Sequence, residues 1–173
     1  MRFYRIIAAL PALLLLGIAA HAADAWTTFN DPDRAFSVQV PSAPTVGHDS
    51  VTNTDGQKVP MLEYTVDRGT SAMIVIISDL TAYPNADHDK VMQGAINGAK
   101  SSGTQTLSDQ ATALDGQPGR ALEILDKDGN HITDWIFFVR GRLYQVMHVL
   151  PSKPASAETA VAKRFQNSFH FAR

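Results

Sequence analysis

Three consecutive apolar runs between Arg120 and Leu150, in the stretch RALEILDKDGNHITDWIFFVRGRLYQVMHVL, limit what this chain can fold into more than any other segment. Residues 121–125, 132–139 and 143–150 are separated by Asp128-Gly129 and Gly141-Arg142, pairs suited to tight turns that need positive φ. The pattern predicts a three-stranded antiparallel meander. Two-residue turns would set Trp135 opposite both Leu122 and His148, Phe137 opposite Val146 and Val139 opposite Tyr144 on one face. The other face would carry Leu125, Ile132, Ile136, Phe138, Leu143, Met147 and Val149. Both sets are apolar, so such a sheet needs a covering layer on each side.

The N-terminus reads as a segment to be removed. Arg2 and Arg5 precede an apolar stretch over 6–20, and Ala20-His21-Ala22 has the small-any-small pattern of a cleavage site, as in a secretory signal peptide spanning 1–22. The apolar stretch is shorter than the roughly 20 residues that span a bilayer and contains Pro11, which argues against a retained anchor. The remainder, 23–173, is expected to be a single domain in the periplasm or outside the cell. Without Arg2 and Arg5 the 15 basic side chains of the full chain fall to 13, against 17 acidic ones. Neither the net charge nor the scattered cations suit nucleic acid. Cysteine is absent, which excludes a lipobox, a thiol nucleophile, disulfides and thiolate-bound metals.

Along the rest of the chain, residues 26–29 and 35–40 flank a turn at 30–34, with Phe36, Val38 and Val40 on one strand face. Asp55-Gly56 predicts a second hairpin whose outer arm is polar, as befits an edge strand. Residues 71–80, SAMIVIISDL, suit a strand covered on both faces. Asn85 is the expected cap of a helix over 85–102, with Val91, Met92, Ala95, Ile96 and Ala99 as its apolar stripe. Gly94 and Gly98 weaken that helix; tight packing on the sheet is the expected reason, and close approach of a partner helix the alternative. Another strand over 104–114 and a turn at 115–119 lead into the meander. Ser156 is the expected cap of a C-terminal helix bearing Ala157, Ala160, Val161, Phe165, Ser168 and Phe169 on one side. The fold class is therefore α+β, a central antiparallel sheet with a helix on each face.

This order resembles the α/β/α sandwich of the PsbP group, the extrinsic photosystem II proteins, a fold also seen in a Ran-binding nuclear import factor and in small exported bacterial members. The residues that carry the resemblance are Phe29-Asn30-Asp31-Pro32 followed by 36–41, FSVQVP, then Gly141-Arg142-Leu143-Tyr144 and 162–169, AKRFQNSF. It implies assembly and binding roles and no shared catalytic residues. No position of the photosystem role can be matched here, and the exported bacterial members fit the leader better.

Four side chains are candidates for chemistry. The expected register sets Glu123 opposite Asp134, where one carboxyl's pKa would rise, as in an acid/base pair or a cation site; a neighbouring lysine or arginine would make the same pair structural. Trp135 opposite His148 would offer a stacking surface and a titratable hydrogen bond if a groove opened there, and otherwise a histidine satisfied in the core. The remaining histidines lack ligand spacing, Asp87-His88-Asp89 suits a helix start, and no serine elbow, phosphate loop or paired-histidine helix occurs. The sequence nominates no catalytic residue, metal or cofactor. The expected function is a non-enzymatic exported protein that binds a protein partner or another envelope component. The alternative is a small-ligand or metal binder using Trp135, His148, Glu123 and Asp134.

Overall fold

A computed structural model describes residues 25–33, 35–52 and 56–172. The signal-peptide reading of 1–22 lies outside them, as do Arg34 of the first turn and Asp55 of the second. The chain is α+β. Its main sheet is antiparallel and seven-stranded, in the order β3-β4-β5-β9-β8-β7-β6. These strands are β3 (Thr45–Thr52), β4 (Lys58–Asp67), β5 (Ala72–Asp79), β6 (Gln105–Leu114), β7 (Gln117–Leu125), β8 (His131–Val139) and β9 (Arg142–Leu150). Helix α1 (His88–Ser102) carries the chain from β5 to the far edge, and the meander β6 to β9 then returns to pair β9 with β5. A second sheet, β1-β2-β10, joins β1 (Thr27–Asn30) and β2 (Phe36–Val40) to β10 (His170–Phe171), which follows helix α2 (Ser156–Asn167).

The meander forms as expected, but two of its turns differ from the two-residue turns read at Asp128-Gly129 and Gly141-Arg142. Between β7 and β8 the loop is five residues long, closed by Asp126 N–H donating to the Asn130 carbonyl at 3.0 Å. The Asp126 carboxylate accepts from the N–H groups of Asp128 and Asn130, each at 2.8 Å, and from Asn130 Nδ2. A side chain that binds its own loop this way competes with a two-residue turn. The register slips by one residue, so Leu122 faces Asp134 and Glu123 faces Thr133. Since a one-residue slip exchanges faces, Leu122 and Leu125 swap sides relative to the expectation. Between β8 and β9 the turn is Arg140-Gly141, with φ of 51° and 75°. That slip is of two residues, so faces are kept: Trp135 pairs with Val146 and Phe137 with Tyr144.

Alternation along β8 separates two apolar clusters. Phe137 and Val139 join Tyr144, Val146, Val75, Ile77, Phe165 of α2 and Phe36, Val38 and Val40 of β2. Ile136 joins Leu122, Ile124 and, from α1, Met92 and Ile96. The layer over the first face is thus α2 together with the small sheet, whereas the sequence reading assigned it to the C-terminal helix alone. Asp31 locks the small sheet down. Its Oδ1 accepts from the Tyr64 hydroxyl at 2.6 Å and its Oδ2 from Ala35 N–H at 3.0 Å, with Asp31 only 3% exposed. Burial and the Asp31 carboxylate hold the Tyr64 phenol above its ordinary value.

Both helices start differently from the sequence reading. Asp87, not Asn85, caps α1: its carboxylate accepts from the N–H groups of Asp89 and Lys90, donors that a helix start leaves orphaned. Pro84 and Asn85 instead lie in a preceding turn. Helix α2 is capped by Ala155, which has no side-chain cap bond. Gly94 and Gly98 do not pack on the sheet, since a Cβ at either would meet nothing within 4 Å. Close approach is needed elsewhere: a Cβ at Gly119 would run into the Phe137 ring and the Ile136 carbonyl oxygen. We therefore expect Gly94→Ala to stabilise the fold by about 1 kcal/mol, and Ala155→Ser by about as much through a new cap. Gly119→Ala is expected to cost roughly 1–3 kcal/mol by overpacking. Urea denaturation midpoints of the three variants check both signs.

Candidate functional site

The four side chains singled out from sequence do not form one site. Glu123 is exposed on the α2 face, opposite Thr133, whereas Asp134 points to the α1 side. The five-residue loop that moved the register therefore removes the carboxylate pair. Trp135 and His148 keep a common face but are diagonal neighbours, because His148 pairs with Thr133. Trp135 is half-buried against the larger cluster, and His148 is 7% exposed. Asp87 caps α1 and His88 lies 3.3 Å from Asp89. Among the described residues, no three His, Cys, Asp or Glu side chains are placed to hold a metal ion.

Asp134 and His148 are buried titratable groups on opposite sides of the sheet. Asp134 is 1% exposed; its Oδ2 accepts from Gln145 Nε2 at 2.8 Å, and its Oδ1 has no partner among the described residues. Burial pushes its carboxyl up to about 7, against the opposing effect of the Gln145 bond. Burial pushes the His148 imidazole down to about 4; Gln166 opposes that shift and Lys163 adds to it. Both groups are thus favoured in their neutral forms, which is the lower-cost state for an ionisable group out of water.

The residues that sequence reasoning missed lie on the α1 face. Helix α1 packs on β7 and β8, and Lys100 reaches Asp109 of β6 at 2.5 Å, drawing that flank of the helix outward. On this side β9 meets α1 only through Leu143, and the middles of β4 and β5 are covered by neither helix. These three strands present Met61, Ile74, Ile76, Met147 and Val149, which are only half-buried and belong to neither cluster. In the ladder Ile74 sits opposite Met147, Ala72 opposite Val149 and Ile76 opposite Gln145, so these side chains form an apolar strip interrupted by Gln145. The continuous apolar run of β5 signalled burial on both faces, and only the pairing order reveals that one face stays open. A separate cleft of about 110 Å³ lies on the other face, lined by Asp31, Leu62, Ile77, Asp79 and Arg142 among others. Most of its polar groups are engaged internally: Asp31 with Tyr64, and Asp79 with Thr81 and with Arg142 at 3.3 Å.

The two buried groups give opposed pH terms. Asp134 has a raised pKa in the fold, so its contribution is present below about 4 and is lost as pH rises to about 7. His148 has a lowered one, so its contribution is present above about 6.5 and is lost as pH falls to about 4. Between about pH 4 and 6.5 the unfolded chain holds its proton on histidine and the folded chain on aspartate, so the two slopes cancel. Asp134→Asn should leave stability rising with pH across that window, by up to about 1.4 kcal/mol per unit relative to the parent. His148→Gln should leave it falling. Denaturation free energies measured from pH 4 to 7 would refute this if both variants paralleled the parent.

Comparison with known proteins gives a match in structure only. No family model matches the sequence, and no curated protein matches it. Among solved structures it is similar to the solution structure of cyanobacterial PsbP (CyanoP) from Synechocystis sp. PCC 6803. The TM-score is 0.51 at 16% identity, over 91% of this chain and 98% of that one. At that identity the likeness speaks for architecture, and fold does not carry function. The extent of the match, together with the seven-stranded antiparallel sheet and two helices, shows that this chain has a PsbP-like fold.

Proposed function

We propose that this chain is an exported, non-enzymatic protein, a three-layer α/β/α relative of PsbP, that binds another protein or an envelope component through the open strip of its sheet. The observation that carries the reading is that strip: Ile74 lies opposite Met147, with Ile76 and Val149 next along the same face of the two central strands, all partly buried and outside both clusters. Contiguous apolar surface of this kind is characteristic of interaction sites, because leaving it wet forfeits its burial. Export is supported by the leader-like sequence of residues 1–22. No helix of the described residues is long and apolar enough to cross a membrane.

A double substitution, Ile76→Glu with Met147→Asp, changes only positions outside both apolar clusters and is expected to keep the circular dichroism spectrum and cooperative melting of the parent. Retention of a specific partner from envelope extract should fall at least tenfold. Equal retention by both proteins, or no specific partner for the parent, would overturn the reading. Mass measurement of the protein recovered from the envelope fraction should place its N-terminus near Ala23; an intact leader would refute export by cleavage.

A further inference from the structure

We infer that the segment of the partner that docks on this strip is an amphipathic α-helix with a basic margin, an inference that rests on the binding role proposed above. The first observation is spacing. Strands in a sheet lie about 4.8 Å apart, so a helix centred over β5 stands two strands, or roughly 10 Å, from α1, which lies mainly over β8. Packed helices lie about 8–10 Å apart. The uncovered width accommodates one helix beside α1.

The second observation is the flank of α1 that such a helix would meet. The Lys100–Asp109 ion pair turns the Lys100 side of α1 toward β6. At 100° per residue, Val91 and Gly98 fall on the opposite flank, toward β9 and β5. Gly98 has open space where a side chain would stand. Glycine there costs α1 stability and leaves room for a neighbouring backbone.

Charge selects the sign of the partner. By register, Asp49 of β3 and Glu63 and Asp67 of β4 share the face of Met61, Ile74 and Met147. No Lys, Arg or His of β3, β4, β5 or β9 points to that side. The outer border of the strip is therefore acidic, and the helix margin that lies along it is complemented by Lys or Arg.

The test uses three synthetic 18-residue peptides: Leu/Lys with leucine at i, i+3, i+4 and i+7; Leu/Glu with the same pattern; and the Leu/Lys composition with the periodicity scrambled. The purified protein is expected to bind the patterned Leu/Lys peptide at least tenfold more tightly than the other two. NMR shifts should concentrate at Ile74, Ile76, Met147 and Val149, and the peptide should gain helical circular dichroism. Gly98→Leu should weaken binding at least tenfold without lowering the melting temperature, and Glu63→Lys should erase the preference for Leu/Lys over Leu/Glu. Equal binding of all three peptides, or shifts centred elsewhere, would overturn the inference. Photocross-linking from position 76 in the native envelope separates this inference from the broader role. Contacts to a basic helical segment of another protein support both. Contacts to a strand or to a second copy of this chain overturn the helix and leave the docking face standing. Products from a control probe at exposed position 107 but none from 76 overturn both.

Discussion

Ile136 and Phe137 are chain neighbours, both are completely buried, and they point in opposite directions. Much of the fold follows from satisfying that demand. A strand wet on one side would expose one of the two, so β8 must lie inside the sheet with cover above and below it. Helix α1 supplies one cover by crossing from β5 to the distant edge. The meander then builds inward strand by strand until β9 meets β5, and α2 with the small sheet closes the other side.

The two covers are unequal, and that inequality is the physical basis of the proposed binding role. The α2 side receives a helix, a three-stranded sheet and a network of aromatic rings, in which Phe36 stacks on Phe169 at 5.1 Å and Tyr64 meets Phe29 at 5.1 Å. The α1 side receives one helix of 15 residues, which lies over β7 and β8 and leaves the sheet's centre half-open. Buried polar groups mark each side. Asp134 borders the open strip, tied to Gln145, which lies on that strip, while His148 sits on the closed side beside Gln166.

A good deal of this was legible in the sequence. The apolar runs placed the strands of the meander and β5 nearly where they lie, Asp55-Gly56 marked the β3–β4 hairpin, and the stripe of Met92 and Ile96 gave the buried side of α1. Asp31, quoted for the family resemblance, proves to be the buried acceptor that fastens the small sheet to Tyr64. What failed was register. Whether Asp128-Gly129 turns in two residues or Asp126 gathers a loop of five is decided by side-chain hydrogen bonds of the loop, and the Glu123–Asp134 pair depended on that choice. The glycines of α1 also misled, because a missing side chain reads alike whether it faces packed atoms or open space.

The sequence by itself determined which segments are strands and which are helices, except for β10, whose approach through Ser168 and Phe169 reads as helix, and that the central strands are apolar on both sides, because these are properties of local periodicity and of turn residues. Strand order was a tertiary decision: β9 pairs with β5 across more than sixty residues of chain, and no local pattern encodes a pairing at that distance. The extent of each cover was likewise decided only in three dimensions. A helix spans about two strands, so one α1 on a seven-stranded sheet leaves apolar surface bare, and where that surface lies depends on which strands the helix crosses.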